Sequence, residues 1–364
     1  MIPYLITFIL SLSLFYAGTK HQGIVRIIFF CLAVLPPAIL GGCRDLCIGT
    51  DTLGYPTYTF DEALTSYSLL GALKDNDVVE PLFVTVAYLV SEYTRDIHWF
   101  LFVNQLIMII GVAFLFGKSR IDICLAMFLY LFSCYNTSLN AMRQSMSIPF
   151  CGVALIALIG REYILCAVSM IIAYFFHYSS ILFISILALY WLIERIPYIM
   201  GRKITLAFSV VVLSLILYNF SYMLETMVAV GLTEEKYDAL YGNSDVYGTN
   251  IPISQLALHG FNLAYFWLVT RYNKRTSFWI LSNYVLMTSL ILCFLGLIST
   301  YAVRVVDYFL IVNIVTLTYY TTKNSYRYVS LPIIFYLFYW FMTVVVADLG
   351  YTYPYKSRIL ESLI

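Results

Sequence analysis

HWFLFVNQLIMIIGVAFLFG, residues 98–117, runs for 20 residues without an Asp, Glu, Lys or Arg. A helix of that length rises about 30 Å, the thickness of a bilayer's hydrocarbon core. The strict apolar–polar alternation of a barrel strand is absent, so the stretch reads as a membrane-crossing helix. Working outward, similar runs recur near 2–17, 24–42, 121–138, 143–160, 162–177, 179–194, 203–221, 254–271, 277–299, 302–321 and 327–347. Together they predict an all-α, polytopic integral membrane protein of about twelve transmembrane helices. The composition excludes an ordinary soluble domain, with 62% apolar residues, 11% charged residues and a mean hydropathy of +0.85.

One further stretch, EPLFVTVAYLVSE at 80–92, is too short for a full crossing and carries Glu80, Pro81 and Glu92 at its ends. Charge sidedness decides its place, because short loops rich in Lys and Arg stay in the cytoplasm. If 80–92 does not cross, Lys20, Arg26, Lys118, Arg120, Arg161, Arg195, Arg202, Lys203, Arg271, Lys274, Arg275, Lys323 and Arg327 share one side with only Asp122, Glu162 and Glu194. The opposite side is then net acidic. If it does cross, every later loop changes side and the segregation breaks. The segment is therefore expected to be a short external amphipathic or re-entrant helix, with both termini outside. Lys20 follows the first apolar run rather than preceding it, so no cleaved secretory signal is expected.

The chain is expected to be a single polytopic domain over 1–364, with long outer loops at 43–97 and 222–253. The second is acidic and rich in tyrosine, a composition suited to sugar faces and hydroxyls. Segments 300–304 and 348–364 complete that side. The net charge of +1 and the lack of a basic tract predict no nucleic-acid partner. Six of the eight cysteines lie in or beside apolar runs, as small packing residues; Cys43 and Cys47 sit in the outer loop at a spacing that strains a bridge. No Cys/His spacing reads as zinc. Asp75-Asn76-Asp77 forms a short D-x-D pattern of the kind that can hold a metal on a phosphate, a three-residue match in an acidic loop.

Polar residues gather at the ends of apolar runs. Arg44-Asp45 is followed by Gly49-Thr50-Asp51 and Tyr55; Asn140 by Arg143-Gln144; His177 ends a run; Arg304 precedes Asp307-Tyr308. The sidedness rule places all of them outside. Guanidinium groups make bidentate contacts to phosphate oxygens, so Arg44, Arg143 and Arg304 are candidates to bind a diphosphate, with Asn140, Gln144, Tyr55 and Tyr308 beside them. Each arginine also has a plainer reading, as a helix-internal ion pair or a lipid-headgroup anchor. His177 is a candidate proton acceptor for a sugar hydroxyl, with Asp51 and Glu80 as rival bases. Arginines in this role need no metal, and no cofactor is expected.

The ordered set Arg44, Gly49-Thr50-Asp51, Tyr55, Glu80-Pro81-x-Phe83, Asn140-x-x-Arg143-Gln144, Phe176-His177-x-Ser179 and Arg304 before Asp307-Tyr308-Phe309 resembles the EpsG group of Wzy-type bacterial polysaccharide polymerases, from about residue 40 to Pro354-Tyr355. The resemblance implies glycosyl transfer at the outer face of a bacterial cytoplasmic membrane. An undecaprenyl-diphosphate-linked oligosaccharide would be the substrate and the bilayer the surroundings, with a chain-length regulator as a further candidate partner and capsule, exopolysaccharide or O-antigen as the product. Two other classes fit arginines around a cavity. A flippase or exporter of lipid-linked oligosaccharide would place ionisable residues at mid-membrane depth and on both faces, whereas here they are biased outward. A lipid-phosphate-dependent glycosyltransferase or ligase would differ only in its acceptor.

Overall fold

The computed structural model describes residues 1–196, 252–273, 276–297, 302–324 and 326–362. The apolar run near 203–221 and nearly all of the loop 222–253 lie outside the described residues. Among the described residues the regular structure is helical, with no strand. In chain order the elements are α1 (Ile2–Thr19), α2 (Gly23–Gly42), α3 (Tyr55–Thr65), α4 (Leu69–Asp75), α5 (Pro81–Ser91), α6 (Ile97–Lys118), α7 (Ile123–Ser133), α8 (Tyr135–Ser138), α9 (Met142–Ile159), α10 (Tyr163–Phe176), α11 (Ile184–Arg195), α12 (Ile253–Thr270), α13 (Ser277–Leu292), α14 (Val306–Lys323) and α15 (Ser330–Trp340).

Among the described residues seven stretches are long and apolar enough to cross a membrane: Ile2–Thr19, Gly23–Gly42, Ile97–Lys118, Met142–Ile159, Tyr178–Arg195, Ser277–Gly296 and Val303–Lys323. The runs expected near 121–138, 162–177 and 327–347 are helical but shorter, as Ile123–Ser133, Tyr163–Phe176 and Ser330–Val346. The first of these breaks at Cys134 and resumes as the single turn α8, in which Asn136 turns its side-chain amide to other partners. Its Nδ2 donates to Thr352 Oγ1 at 3.0 Å, and its Oδ1 accepts from Trp340 Nε1 at 2.8 Å.

The described residues pack as two compact units, Met1–Leu182 with Thr321–Ile364, and Phe183–Tyr320. In the first unit α1 pairs with α2, α2 lies on α6, α6 on α9 and α9 on α10. Lipid gives helices no hydrophobic reason to associate, so close packing at small residues takes over. A Cβ on Gly41 would stand 2.6 Å from Gln105 Cγ, and one on Gly42 2.9 Å from the Phe102 backbone, so α2 meets α6 nearly backbone to backbone. On the other flank of α1 sits an aromatic cluster. Phe8 meets Phe132 and Tyr135 edge-on at 5.2 Å each, and Tyr4 meets Trp340 at 6.1 Å.

His98, in the first turn of α6, has Nδ1 2.9 Å from the carbonyl of Gly42, the last residue of α2. The segment 43–96 therefore leaves α2 and re-enters α6 at one level, and α3, α4 and α5 form a small layer of their own there. Ser91 Oγ donates to Ala63 O at 3.3 Å, fastening α5 to α3. The stretch 348–358 lies over the same end of the unit as a strap. Gly49 N donates to Tyr351 O and Asp45 N to Lys356 O, both at 3.0 Å, while Tyr355 Oη donates to Leu40 O at 2.8 Å and Ser357 Oγ to Cys43 O.

The second unit contains α11, α12, α13 and α14. Its helices share buried polar contacts: Ser282 Oγ and Thr316 Oγ1 are 3.1 Å apart, and Asn313 Nδ2 lies 3.2 Å from both His259 Nδ1 and Ser289 Oγ.

Candidate functional site

Glu80 precedes Pro81, which starts α5 with its ring at the first helical position, where the missing N–H costs nothing. The Glu80 side chain does not cap its own helix. It turns away, is 1% exposed, and takes two partners from distant parts of the chain. Oε2 accepts from Arg143 Nη1 at 2.5 Å, and Oε1 accepts from His177 Nδ1 at 2.6 Å and from the Tyr178 N–H at 3.3 Å. Arg143 stands in the first turn of α9, and His177 is the extended residue that ends α10. Packing of α5 and α9 against α10 thus brings a carboxylate, a guanidinium and an imidazole into one hydrogen-bonded group.

The electrostatics assign the roles within it. Burial pushes the Glu80 carboxyl up, but the His177 hydrogen bond and the Arg143 charge outweigh burial and hold it down at about 2. An ionised carboxylate only accepts, so Nδ1 of His177 carries the proton and donates it to Glu80. In the neutral ring Nε2 is then the acceptor. No other hydrogen bond reaches this imidazole among the described residues, and its side chain is 21% exposed. Both oxygens of Glu80 are engaged. Two of the three residues that the sequence offers as bases, Glu80 and His177, thus form one hydrogen-bonded pair, in which Glu80 accepts from His177 Nδ1.

Arg143 is also held from its other side. Its Cζ lies 4.1 Å from the centre of the Tyr55 ring, a cation–π contact made by the first residue of α3. Tyr55 Oη donates to Asn140 O at 3.4 Å. Asn140 Oδ1 accepts from Thr50 N at 2.5 Å and Thr50 Oγ1 at 3.2 Å, so the loop carrying Asp51 is pinned beside Arg143. This fit requires glycine at two points. Gly49, at φ +90°, would place a Cβ 2.8 Å from Asn140 Oδ1, and Gly350, at φ +84°, would drive one into the Asn140 amide. Asp51 Oδ1 accepts from Thr50 Oγ1 at 3.2 Å.

Gln144 is buried one residue beyond Arg143 in α9. Arg44 is wholly buried, with Nη1 donating to Gly41 O at 2.5 Å and Nη2 to Leu139 O at 3.3 Å. Arg304 and Tyr308 belong to the second unit, where Arg304 is half-buried and Tyr308 is buried in α14. Cys43 and Cys47 are free thiols. Asp75 Oδ2 accepts from Ser66 Oγ at 3.0 Å, and Asn76 Nδ2 donates to Ala72 O at 3.1 Å, closing α4. Among the described residues no group of three or more His, Cys, Asp and Glu is placed to hold a metal ion. Sequence reading did not find the Tyr178 N–H, the Leu139 carbonyl or Gly350. The first two are backbone groups without any residue signal.

Seven bilayer-length stretches among the described residues, together with a hydrogen-bonded carboxylate–guanidinium–imidazole group, define a multi-pass membrane protein with a polar site. The model of the EpsG family matches residues 27–357, nearly the whole chain, and the protein belongs to that family. EpsG is a Wzy-like polymerase family, which gives this chain a polysaccharide-polymerase type of role. Searches of curated proteins and of solved structures find no match.

Proposed function

We propose that this protein joins undecaprenyl-diphosphate-linked oligosaccharides by glycosyl transfer at the outer face of a bacterial cytoplasmic membrane, with His177 as general base. The observation that carries the reading is Glu80 bridging His177 and Arg143. In the proposed step a hydroxyl of the acceptor sugar attacks the anomeric carbon of the donor. The new C–O bond forms, the bond from C1 to the diphosphate oxygen breaks, and its electron pair leaves with the lipid diphosphate. The hydroxyl proton passes to Nε2 of His177, while Glu80 stabilises the imidazolium as it forms.

Positive charge develops at C1 and negative charge on the departing diphosphate, so a fixed guanidinium stabilises the transition state more than the ground state. Arg143, braced between Glu80 and the Tyr55 ring, is the residue proposed for that task. Asn140 and Thr50 fix the loop beside it, and Asp51 on that loop is proposed to contact a sugar hydroxyl. The single level at which 43–96 leaves and returns supports an outer position for α5, and the outward bias of the polar clusters supports an outer site.

The test is polymer formation by a well-expressed His177→Gln protein in a host lacking its own copy of the gene. Long chains should vanish while single repeat units still reach the outside. Unpolymerised lipid-linked units retained on the cytoplasmic leaflet, with the protein folded in the membrane, would point to a flippase and overturn the reading.

A further inference from the structure

We infer that Arg44 is a positioning residue of this site and not a ligand of the diphosphate: it sets the turn that carries Asn140 and Arg143. The inference rests on the function proposed above. Its first ground is enclosure. A phosphate ligand must meet its substrate, whereas the Arg44 side chain is 0% exposed and Nε is buried with no partner. Tyr4, Tyr135, Tyr355 and Tyr55 stand around it within electrostatic reach.

The second ground is how the charge is compensated. Arg44 has no ion-pair partner among the described residues. An isolated buried cation is costly, so its compensation must come from dipoles. Gly41 O belongs to the last turn of α2, where carbonyls lack helical partners and the helix dipole is negative. Leu139 O follows α8 and has the same character. Nη1 takes the first carbonyl, and Nη2 takes the second together with Met142 Sδ at 3.4 Å. One planar fork therefore fixes the spacing between the end of α2 and the residues 139–142.

The third ground is what lies next. Asn140, between the two Nη2 contacts in sequence, pins Thr50, and Arg143 immediately follows Met142 and holds Glu80. A shift of the turn would move both. Lysine cannot reproduce the effect, because an ammonium is a point charge without the guanidinium's rigid fork.

The test uses the purified full chain, with lipid-linked oligosaccharide extracted from a host lacking this gene as the probe. For Arg44→Lys, kcat should fall about 10²-fold, as for a small misplacement of reacting groups, with KM for the probe unchanged. The acid limb of its pH–rate profile should also move to higher pH. The charged groups facing Glu80 are Arg143 from α9 and His177 from the end of α10; with Arg143 displaced the carboxylate holds His177 alone, so the imidazolium, which cannot act as base, persists to higher pH. A raised KM with kcat and the acid limb unchanged would show a direct phosphate ligand and overturn the inference. If Arg44→Lys does not fold, Met142→Leu removes one acceptor of the fork and should move the limb the same way by less; an unmoved limb there counts against the inference. Normal polymerisation by His177→Gln is a separate failure, of the function on which this rests.

Discussion

Glu80 and His177, 97 positions apart in sequence, meet at 2.6 Å between Oε1 and Nδ1. A carboxylate held ionised against an imidazole fixes the tautomer of the ring, and that relation separates the effects of two amide substitutions. His177→Gln removes the proton acceptor and should lower the rate by about 10²–10⁴-fold. Glu80→Gln keeps the shape but can donate to Nδ1, turning the ring to the wrong tautomer, and should cost a comparable factor. The double variant should be scarcely slower than either single one, because the pair acts as a unit. Independent, multiplying losses in steady-state rates would refute the dyad.

Acid stability should report the same carboxylate. Glu80 is held below its ordinary value of 4.5, so its contribution is fully present above that pH and is lost as pH falls through about 2. The thermal midpoint of the parent should fall across this window, and Glu80→Gln should flatten that part of the profile. An identical acid dependence in both proteins would show that the ion pairs of Glu80 contribute nothing to folding.

Tyr55 braces Arg143 with its ring face. A cation–π contact of this kind is worth about 0.5–2 kcal/mol, so Tyr55→Leu should reduce polymerisation several-fold, up to about 30-fold. Tyr55→Phe retains the ring and loses the hydroxyl, with its long hydrogen bond to Asn140 O and its contact with Arg143, and should be impaired less than Tyr55→Leu. Equal losses in the two variants would place the function of Tyr55 in its hydroxyl.

The layer of α3, α4 and α5 should lie wholly on one side of the membrane. Lys74 and Tyr93 flank α5 and are exposed. With the native cysteines replaced, Lys74→Cys and Tyr93→Cys should both react with an impermeant thiol reagent in intact cells. Reaction at only one of them would mean that α5 crosses.

Gly350→Ala should destabilise the protein by about 1–3 kcal/mol, since the residue has positive φ and its Cβ would meet the Asn140 amide. Activity should fall further than stability, because Asn140 holds the Thr50 loop. The ratio of polymer formed to folded protein in the membrane measures this.

Much of the fold was legible because a helix in lipid must satisfy its own backbone and span a fixed thickness, so apolar length alone marks α1, α2, α6 and α9. Shorter elements were less so. The run near 121–138 reads as one helix, yet it breaks at Cys134, and the turn that follows carries Asn136, whose side chain finds Thr352 and Trp340, partners more than 200 residues away. At the site, residue types were readable and their pairing was not. Glu80 and His177 each read as a base, and only tertiary packing pairs them through a hydrogen bond. Arg44 looks like Arg143 in sequence, and what separates them is a pair of backbone carbonyls, at Gly41 and Leu139, that carry no side-chain signal.

The strap at 348–358 places the support of the Thr50 loop late in the chain. Its backbone receives the Gly49 and Asp45 amides, and its Gly350 abuts Asn140. Every other part of this first-unit site is translated earlier. A ribosome-bound or prematurely terminated chain could insert α1 through α10 and still lack the support that places the Thr50 loop. Assembly of this end of the first unit would then be complete only after the strap has emerged and docked.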